Sequence, residues 1–249
     1  MPARAGLRPL KAWRYVGIYG PELMICLATV RIGPARQSFW AVWDRTARRL
    51  YERTVLGGGA VALSTGHARA ASAEVEIELK LDEGPGVECV CPSGDSYAWT
   101  RKQGGVRARG TVRIGPVVHR VEALAVIDDT AAYYERHTRW RWCAGIGQAT
   151  DGRALAWNLV QGVNDPAHGS ERTVWIDGDA RELPEAHFAA DLSSVDELQF
   201  SAEATRAQRQ NLILVRSRYR QPFGTFSGRV GGAELAAGYG VMEDHDVWW

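Results

Sequence analysis

Lysine is scarce in this chain: only Lys11, Lys80 and Lys102 occur, so arginine carries nearly all of the positive charge. The 30 basic and 29 acidic residues leave a net charge of +1. A nucleic-acid binder concentrates a basic excess on one face, and none is visible, so no nucleic-acid partner is expected. Arginine pairs well with carboxylates, but the codon bias of a GC-rich genome is the simpler reason for its surplus. Long apolar runs are also missing. No stretch approaches the roughly 18 residues of a membrane span, and the start "MPARAGLRPLKAW" has no apolar signal core. A cytoplasmic protein without stable membrane insertion is the expectation. The four cysteines are scattered and Cys89-Val-Cys91 is not a zinc-type spacing, so reduced, mostly buried thiols are expected.

Cofactor signatures are wanting as well. Gly57-Gly58-Gly59 lacks the Lys-Ser/Thr of a phosphate loop, and neither "GYG" nor "GTFSG" makes a nucleophile elbow. His168-x-x-Glu171 has no third ligand nearby. No cofactor and no metal are expected. Helical periodicity is absent too, apart from "AEATRAQRQ" (202–210), which reads as one short helix.

What is present is period-two alternation. In "AEVEIELKLDEG" (73–84), Val75, Ile77, Leu79 and Leu81 share one face and Glu74, Glu76, Glu78 and Lys80 the other, which makes a half-buried strand. "SFWAVWD", "SYAWTRKQ", "GVRARGTVRIG", "VVHRVEALAVID", "RALAWNLVQG", "TVWIDGD", "LQFSAEA" and "NLILVRSRY" continue the series, with turn signals such as Asp151-Gly152 and Asp177-Gly178 between them. Many short strands at regular intervals make an all-β protein of sandwich or barrel type. Its 249 residues suffice for one large domain or two smaller ones.

Ten tryptophans are many for this length, and "YYERHTRWRW" (133–142) concentrates two of them with two arginines. If this stretch is extended, Tyr134, Thr138, Trp140 and Trp142 share one face while His137, Arg139 and Arg141 share the other. Aromatic and cationic groups thus segregate, unlike in a single-strand nucleic-acid platform. The aromatic face is either a core strand or the wall of a ligand cavity.

Several segments carry a family resemblance. In order they are "WRYVGIYGPELMICLATVRIG", "VIDDTAAYYERHTRWRW", "DGRALAWNLVQGVND", "ERTVWIDG", "QPFGTFSGRV" and "GYGVMEDHDVWW", spanning about Trp13 to Trp249. Together they resemble the bacterial family called domain of unknown function 2804. More distantly, the order "DDTAAYYERHTRWRW…DGRALAWNL" is similar to the lipocalin-like carotenoid 1,2-hydratase and tocopherol cyclase group. The spacing differs from that group and its Asp-His pair is not reproduced. The distant resemblance implies two consecutive lipocalin-like antiparallel β-barrels or half-barrels packed together, divided here as residues 1–127 and 128–249. It also implies a mid-chain acid that protonates a carbon–carbon double bond.

Protonating an alkene demands an acid kept neutral by burial and walls that tolerate a carbocation, which aromatic faces provide. Asp128 ends the apolar run Ala123–Ile127 and is the preferred acid, although an Asp there also suits a turn. Neighbouring Asp129 points to the opposite face of a strand. His137 is a candidate to orient or reprotonate the acid, or else an ordinary structural histidine. Tyr134, Trp140, Trp142, Trp157 and Trp175 are candidate substrate-binding aromatics. Asn158 would position a substrate oxygen, and Glu171 is a candidate polar contact or a rim charge. Glu243 and His245 share a strand face near the C-terminus and are candidate substrate-binding residues, able to form an acid/base or weak metal site. These features lead to a cyclase, hydratase or isomerase acting on a hydrophobic polyene or terpenoid-like molecule of natural-product biosynthesis. It would work by proton transfer or by pericyclase-like templating of a folded conformer. The other reading is a non-catalytic lipocalin-like binding protein.

Overall fold

Alternation of apolar and polar residues builds an all-β molecule of antiparallel sheets, seen in a computed structural model that describes residues 1–211 and 215–249. In hydrogen-bonded order, the first sheet runs Arg49–Leu56, Ala35–Asp44, Leu23–Ile32, Lys11–Tyr19, Val117–Ala132, Ser96–Ile114, Val75–Leu81, His67–Ala71 and Val61–Ser64. Val87–Ser93 adds a further edge beside Ser96–Ile114. The second sheet runs Asp179–Glu182, Thr173–Ile176, Ala154–Gln161, His137–Ala149, Ala233–Trp248, Arg216–Val230, Leu198–Asn211 and Ser194–Val195. The chain passes from one sheet to the other over residues 133–136. Among the described residues no helix is long and apolar enough to cross a membrane.

Each sheet curls around a core of its own. Val16, Ile18, Ile25, Val42, Ile77, Leu79, Val112 and Ile127 fill the first half-barrel. Trp157, Leu155, Val174, Phe200, Phe226 and Met242 fill the second. The outer faces of the two half-barrels then pack on each other through a third apolar layer, with Tyr15, Tyr19, Met24 and Phe39 from the first sheet against Trp140, Trp142, Trp175 and Val241 from the second. A sheet buried on both faces needs apolar residues at successive positions, and "LMICLA" (23–28), buried throughout, supplies them.

Two expectations change here. Residues 202–210 are not helical; they belong to the strand Leu198–Asn211, laddered to Arg216–Val230. Their helix-favouring Ala, Glu, Arg and Gln residues yield to cross-strand pairing. "SYAWTRKQ" and "GVRARGTVRIG" are one 19-residue strand, Ser96–Ile114, interrupted by a bulge between Gly104 and Val106, where Gly105 takes φ +73°. A bulge inserts one residue and so exchanges the faces beyond it. Lys102 therefore points between the sheets, whereas Val106 and Ala108 point into the first half-barrel. A second bulge between Ala202 and Ala204 acts alike, turning Phe200 into the second half-barrel and Arg206 between the sheets. Of the expected strand 211–219, residues 212–214 lie outside the described residues.

Trp157 illustrates the tightness of the second half-barrel. A Cβ on Gly145 would lie 2.2 Å from the Trp157 ring, which also meets Phe226 edge-on at 5.2 Å. Gly145→Ala is expected to destabilise the protein by roughly 1–3 kcal/mol through overpacking, read as a lowered midpoint in urea unfolding.

Candidate active site

Between the sheets the apolar layer is incomplete. A cavity of about 130 Å³, taken as the space open to the centre of a water-sized sphere, remains there. Half-buried Ile32, Gln37, Gln208, Gln210 and Ser217 form its mouth, where Gln210 donates to the Gln37 carbonyl oxygen across the two sheets at 2.8 Å. Buried Trp140, Trp142, Lys102, Asp128, Glu171 and Glu243 lie deeper. The cavity is thus formed by the outer faces of two solid half-barrels, not by the inside of either.

Asp128 faces this cavity, and its surroundings are those of a carboxylate. It is ion-paired with the Lys102 ammonium directly across the ladder and accepts from Trp13 Nε1 at 3.1 Å and from the Thr130 hydroxyl at 2.8 Å. Lys102 also reaches Glu171 at 3.3 Å. Burial works against the ammonium, yet the Asp128 and Glu171 carboxylates together hold its pKa above the ordinary lysine value. Glu171 moves the other way: burial raises its pKa despite the attraction of Lys102. Asn164 donates to Glu171 at 2.8 Å and to the Tyr134 hydroxyl at 2.8 Å.

Glu243 enters from the second sheet. Burial pushes its carboxyl up to about 7, although it accepts from Trp140 Nε1 at 2.9 Å and from Gln221 at 3.0 Å. The Asp128 charge contributes to the rise. His245, two residues on, lines the same cavity beside the Trp140 ring at 4.3 Å and bonds the Ser217 hydroxyl at 2.8 Å. Burial holds its imidazole down to about 3, so it is neutral at physiological pH. Glu243 bonds Trp140 and Gln221, not His245.

The remaining candidates divide. Trp140 and Trp142 line the cavity. Tyr134 sits behind the wall, its ring stacked on Trp13 and Trp140, and Trp13 itself is an unanticipated part of the lining. Asn158 holds Trp142 in place, accepting from its Nε1 at 2.7 Å and donating to the Glu171 carbonyl at 2.9 Å. Trp175 cements the sheets by covering Gly104. Trp157 is core of the second half-barrel and does not line the cavity. Asp129 and His137 are likewise misplaced as catalytic candidates. Strand alternation turns Asp129 to the other face, where Arg14 and Arg101 bind it at 2.8 Å each. His137 stands on the outer surface, stacked on Trp248 at 4.3 Å and bonded to Asp246 at 2.9 Å. Lys102, Arg206, Tyr219, Asn164 and Gln221 escaped the sequence reading; only the rarity of lysine singled out one of them.

A model of the family described as "Domain of unknown function (DUF2804)" matches residues 60–249, most of the chain. The chain belongs to this family. No curated protein matches the DUF2804 chain, but solved structures share its fold. A protein from Nitrosomonas europaea provisionally assigned as AttH aligns with a TM-score of 0.53 at 14% identity, over 95% of the DUF2804 chain and 92% of its own. Kievitone hydratase from Nectria haematococca gives a TM-score of 0.54 at 11% identity, over 94% and 88%. CghA with Sch210972 gives 0.50 at 11% identity, over 98% and 93%. At such identities the likeness is one of fold, and it places the DUF2804 chain on a scaffold that a hydratase also uses.

Two outcomes follow for the charged floor. Lys102→Met strands two buried carboxylates and is expected to cost about 3–5 kcal/mol at neutral pH, with a smaller loss near pH 5 where they can protonate; urea unfolding at the two pH values measures both. Glu243 binds its proton more tightly folded than unfolded. Its contribution to stability is therefore full below about pH 4.5 and declines as pH rises toward about 7. Glu243→Gln should remove that slope, so the variant gains stability relative to wild type between pH 5 and pH 8.

Proposed function

We propose that this protein is a hydratase or cyclase that protonates a carbon–carbon double bond of an unsaturated, largely apolar small molecule, of polyene or terpenoid type, held between its two half-barrels. The observation that carries the reading is the pairing of two unlike carboxyl groups across one tryptophan-walled cavity. Glu243, kept protonated near neutrality, is the acid. Asp128, paired with the Lys102 ammonium and accepting from Trp13 and Thr130, is the acceptor. Two carboxyls in such unlike surroundings divide the parts of acid and base between them.

In a hydration, the Glu243 carboxyl gives its proton to one alkene carbon and a C–H bond forms. The positive charge left on the neighbouring carbon lies among the Trp140 and Trp142 faces, whose ring quadrupoles favour a cation. Water adds to that carbon and passes a proton to Asp128, and exchange with solvent returns Asp128 and Glu243 to their starting forms. In a cyclisation, an internal double bond or hydroxyl replaces water as the nucleophile. Asp128 has the capacity for this part, because three of roughly four acceptor positions on a carboxylate are used. The preferred acid thus shifts from Asp128 to Glu243, since Asp128 is already engaged by the Lys102 ammonium. A hydratase on the same fold and four free cysteines, as a reducing cytoplasm would leave them, are in keeping with this reading.

The experiment is incubation with a panel of polyene and terpenoid alkenes in ¹⁸O-labelled water, followed by product analysis. Wild type should return a hydrated or cyclised product. Glu243→Gln should lower kcat by about 10²–10⁴-fold with binding retained, and Asp128→Asn should also lower kcat. Recovery of every alkene unchanged by wild type would make the protein a binder of apolar ligands instead.

A further inference from the structure

Among the described residues, three side chains of the cavity wall carry a buried polar atom without a hydrogen-bond partner; one, Arg206 Nε, has the Glu52 carboxylate at 3.4 Å, and the other two belong to Asn164 and Tyr219. Asn164 is the first. Both hydrogens of its amide nitrogen are spoken for, by Glu171 and by the Tyr134 hydroxyl, which fixes the orientation of the group. Its Oδ1 is then the atom left over, buried and with no hydrogen-bond partner among the described residues. Tyr219 is the second. Its hydroxyl lies alongside the Glu243 carboxyl, which influences it electrostatically, but it makes no hydrogen bond of good geometry among the described residues. The Arg206 guanidinium stands 5.0 Å from the Tyr219 ring and lines the same part of the wall.

These two atoms lie at opposite ends of a row of rings. Asn164 bonds Tyr134, Tyr134 stacks on Trp140 at 6.5 Å, Trp140 meets His245 at 4.3 Å, and His245 meets Tyr219 edge-on at 5.2 Å. One end offers only an acceptor and the other offers a hydroxyl beside a cation. The Glu243 carboxyl, on Trp140, lies between them.

We propose that the substrate carries an oxygen at each end of its unsaturated body: a hydroxyl that donates to Asn164 Oδ1, and a carbonyl or ether oxygen that accepts from the Tyr219 hydroxyl. This rests on the reading of the cavity as the substrate site and narrows it from polyenes at large to oxygenated alkenes. A buried polar atom left unmatched is costly, and a ligand that displaces water without replacing its hydrogen bonds loses affinity. A pure hydrocarbon would leave both ends unmatched. An ether oxygen attached to the double bond at the Tyr219 end would also spread the charge that forms when Glu243 protonates the alkene, by donating its lone pair. No bond beyond those already described is made or broken by this recognition.

The test is equilibrium binding to the intact protein by isothermal titration calorimetry, so it does not depend on turnover. Three probes of matched shape serve: 3-methyl-1-phenylbut-1-ene, which has no oxygen; 4-phenylbut-3-en-2-one, which adds the ketone; and 4-(4-hydroxyphenyl)but-3-en-2-one, which adds the hydroxyl at the far end. Affinity should rise by roughly tenfold at each step. Tyr219→Phe should erase the ketone step while the hydrocarbon still binds, because the ring that lines the cavity is kept and only the hydroxyl is lost. Equal binding of all three probes by wild type would overturn the oxygen requirement while keeping the cavity as a site. A Tyr219→Phe loss shared equally by all three would overturn the role of that hydroxyl. Failure of every probe to bind would overturn both this inference and the site itself.

Discussion

The Lys102 ammonium brings carboxylates from the two sides of the sheet–sheet interface into one buried place. Asp128 reaches it from the first sheet and Glu171 from the segment leading into Thr173–Ile176 of the second. A buried cation needs compensation, and two buried carboxylates need it more. The trio is therefore stable only when the half-barrels are docked. The same arrangement sorts the acids of the cavity. Glu243 meets the neutral donors Trp140 and Gln221 rather than this lysine, and burial favours its protonated form.

The tryptophans fit this scheme as donors as much as walls. Trp13 bonds Asp128, Trp140 bonds Glu243 and Trp142 bonds Asn158, each through the indole nitrogen. A buried indole N–H demands an acceptor, so each ring fixes the polar group that it faces. Phenylalanine could supply the same apolar surface but would remove one donor from each of those three groups.

Much of this was legible in the sequence. The alternation in residues 73–84 placed a strand correctly, and the segregation of Trp140 and Trp142 from His137, Arg139 and Arg141 held in three dimensions. The opposite facing of Asp128 and Asp129 follows from the same period-two rule. Glu243 and His245 do share one face and one cavity. What failed was anything that required knowing where the period slips. Lys102 and Arg206 lie on the far sides of bulges from the apolar residues that set the phase of their strands, and the Arg206 segment also carries helix-forming residues. Trp157 and Asn158, both candidates for the cavity, alternate as neighbours in a strand do, and only the docking of the sheets decides that Asn158, not Trp157, is on the cavity side. Asn164 sits in a connection between strands, where no periodicity applies.

The bulges themselves have a further implication. Each hands the outer part of a strand from one compartment to another, so one strand helps to fill a half-barrel at one end and furnishes the cavity at the other. The residues that meet a ligand are thereby separated from those that hold the scaffold, though both lie on the same continuous ladder. Chemistry at the cavity can vary over evolutionary time without disturbing either greasy interior, which offers a physical reason why one architecture persists among chains that share barely a tenth of their residues.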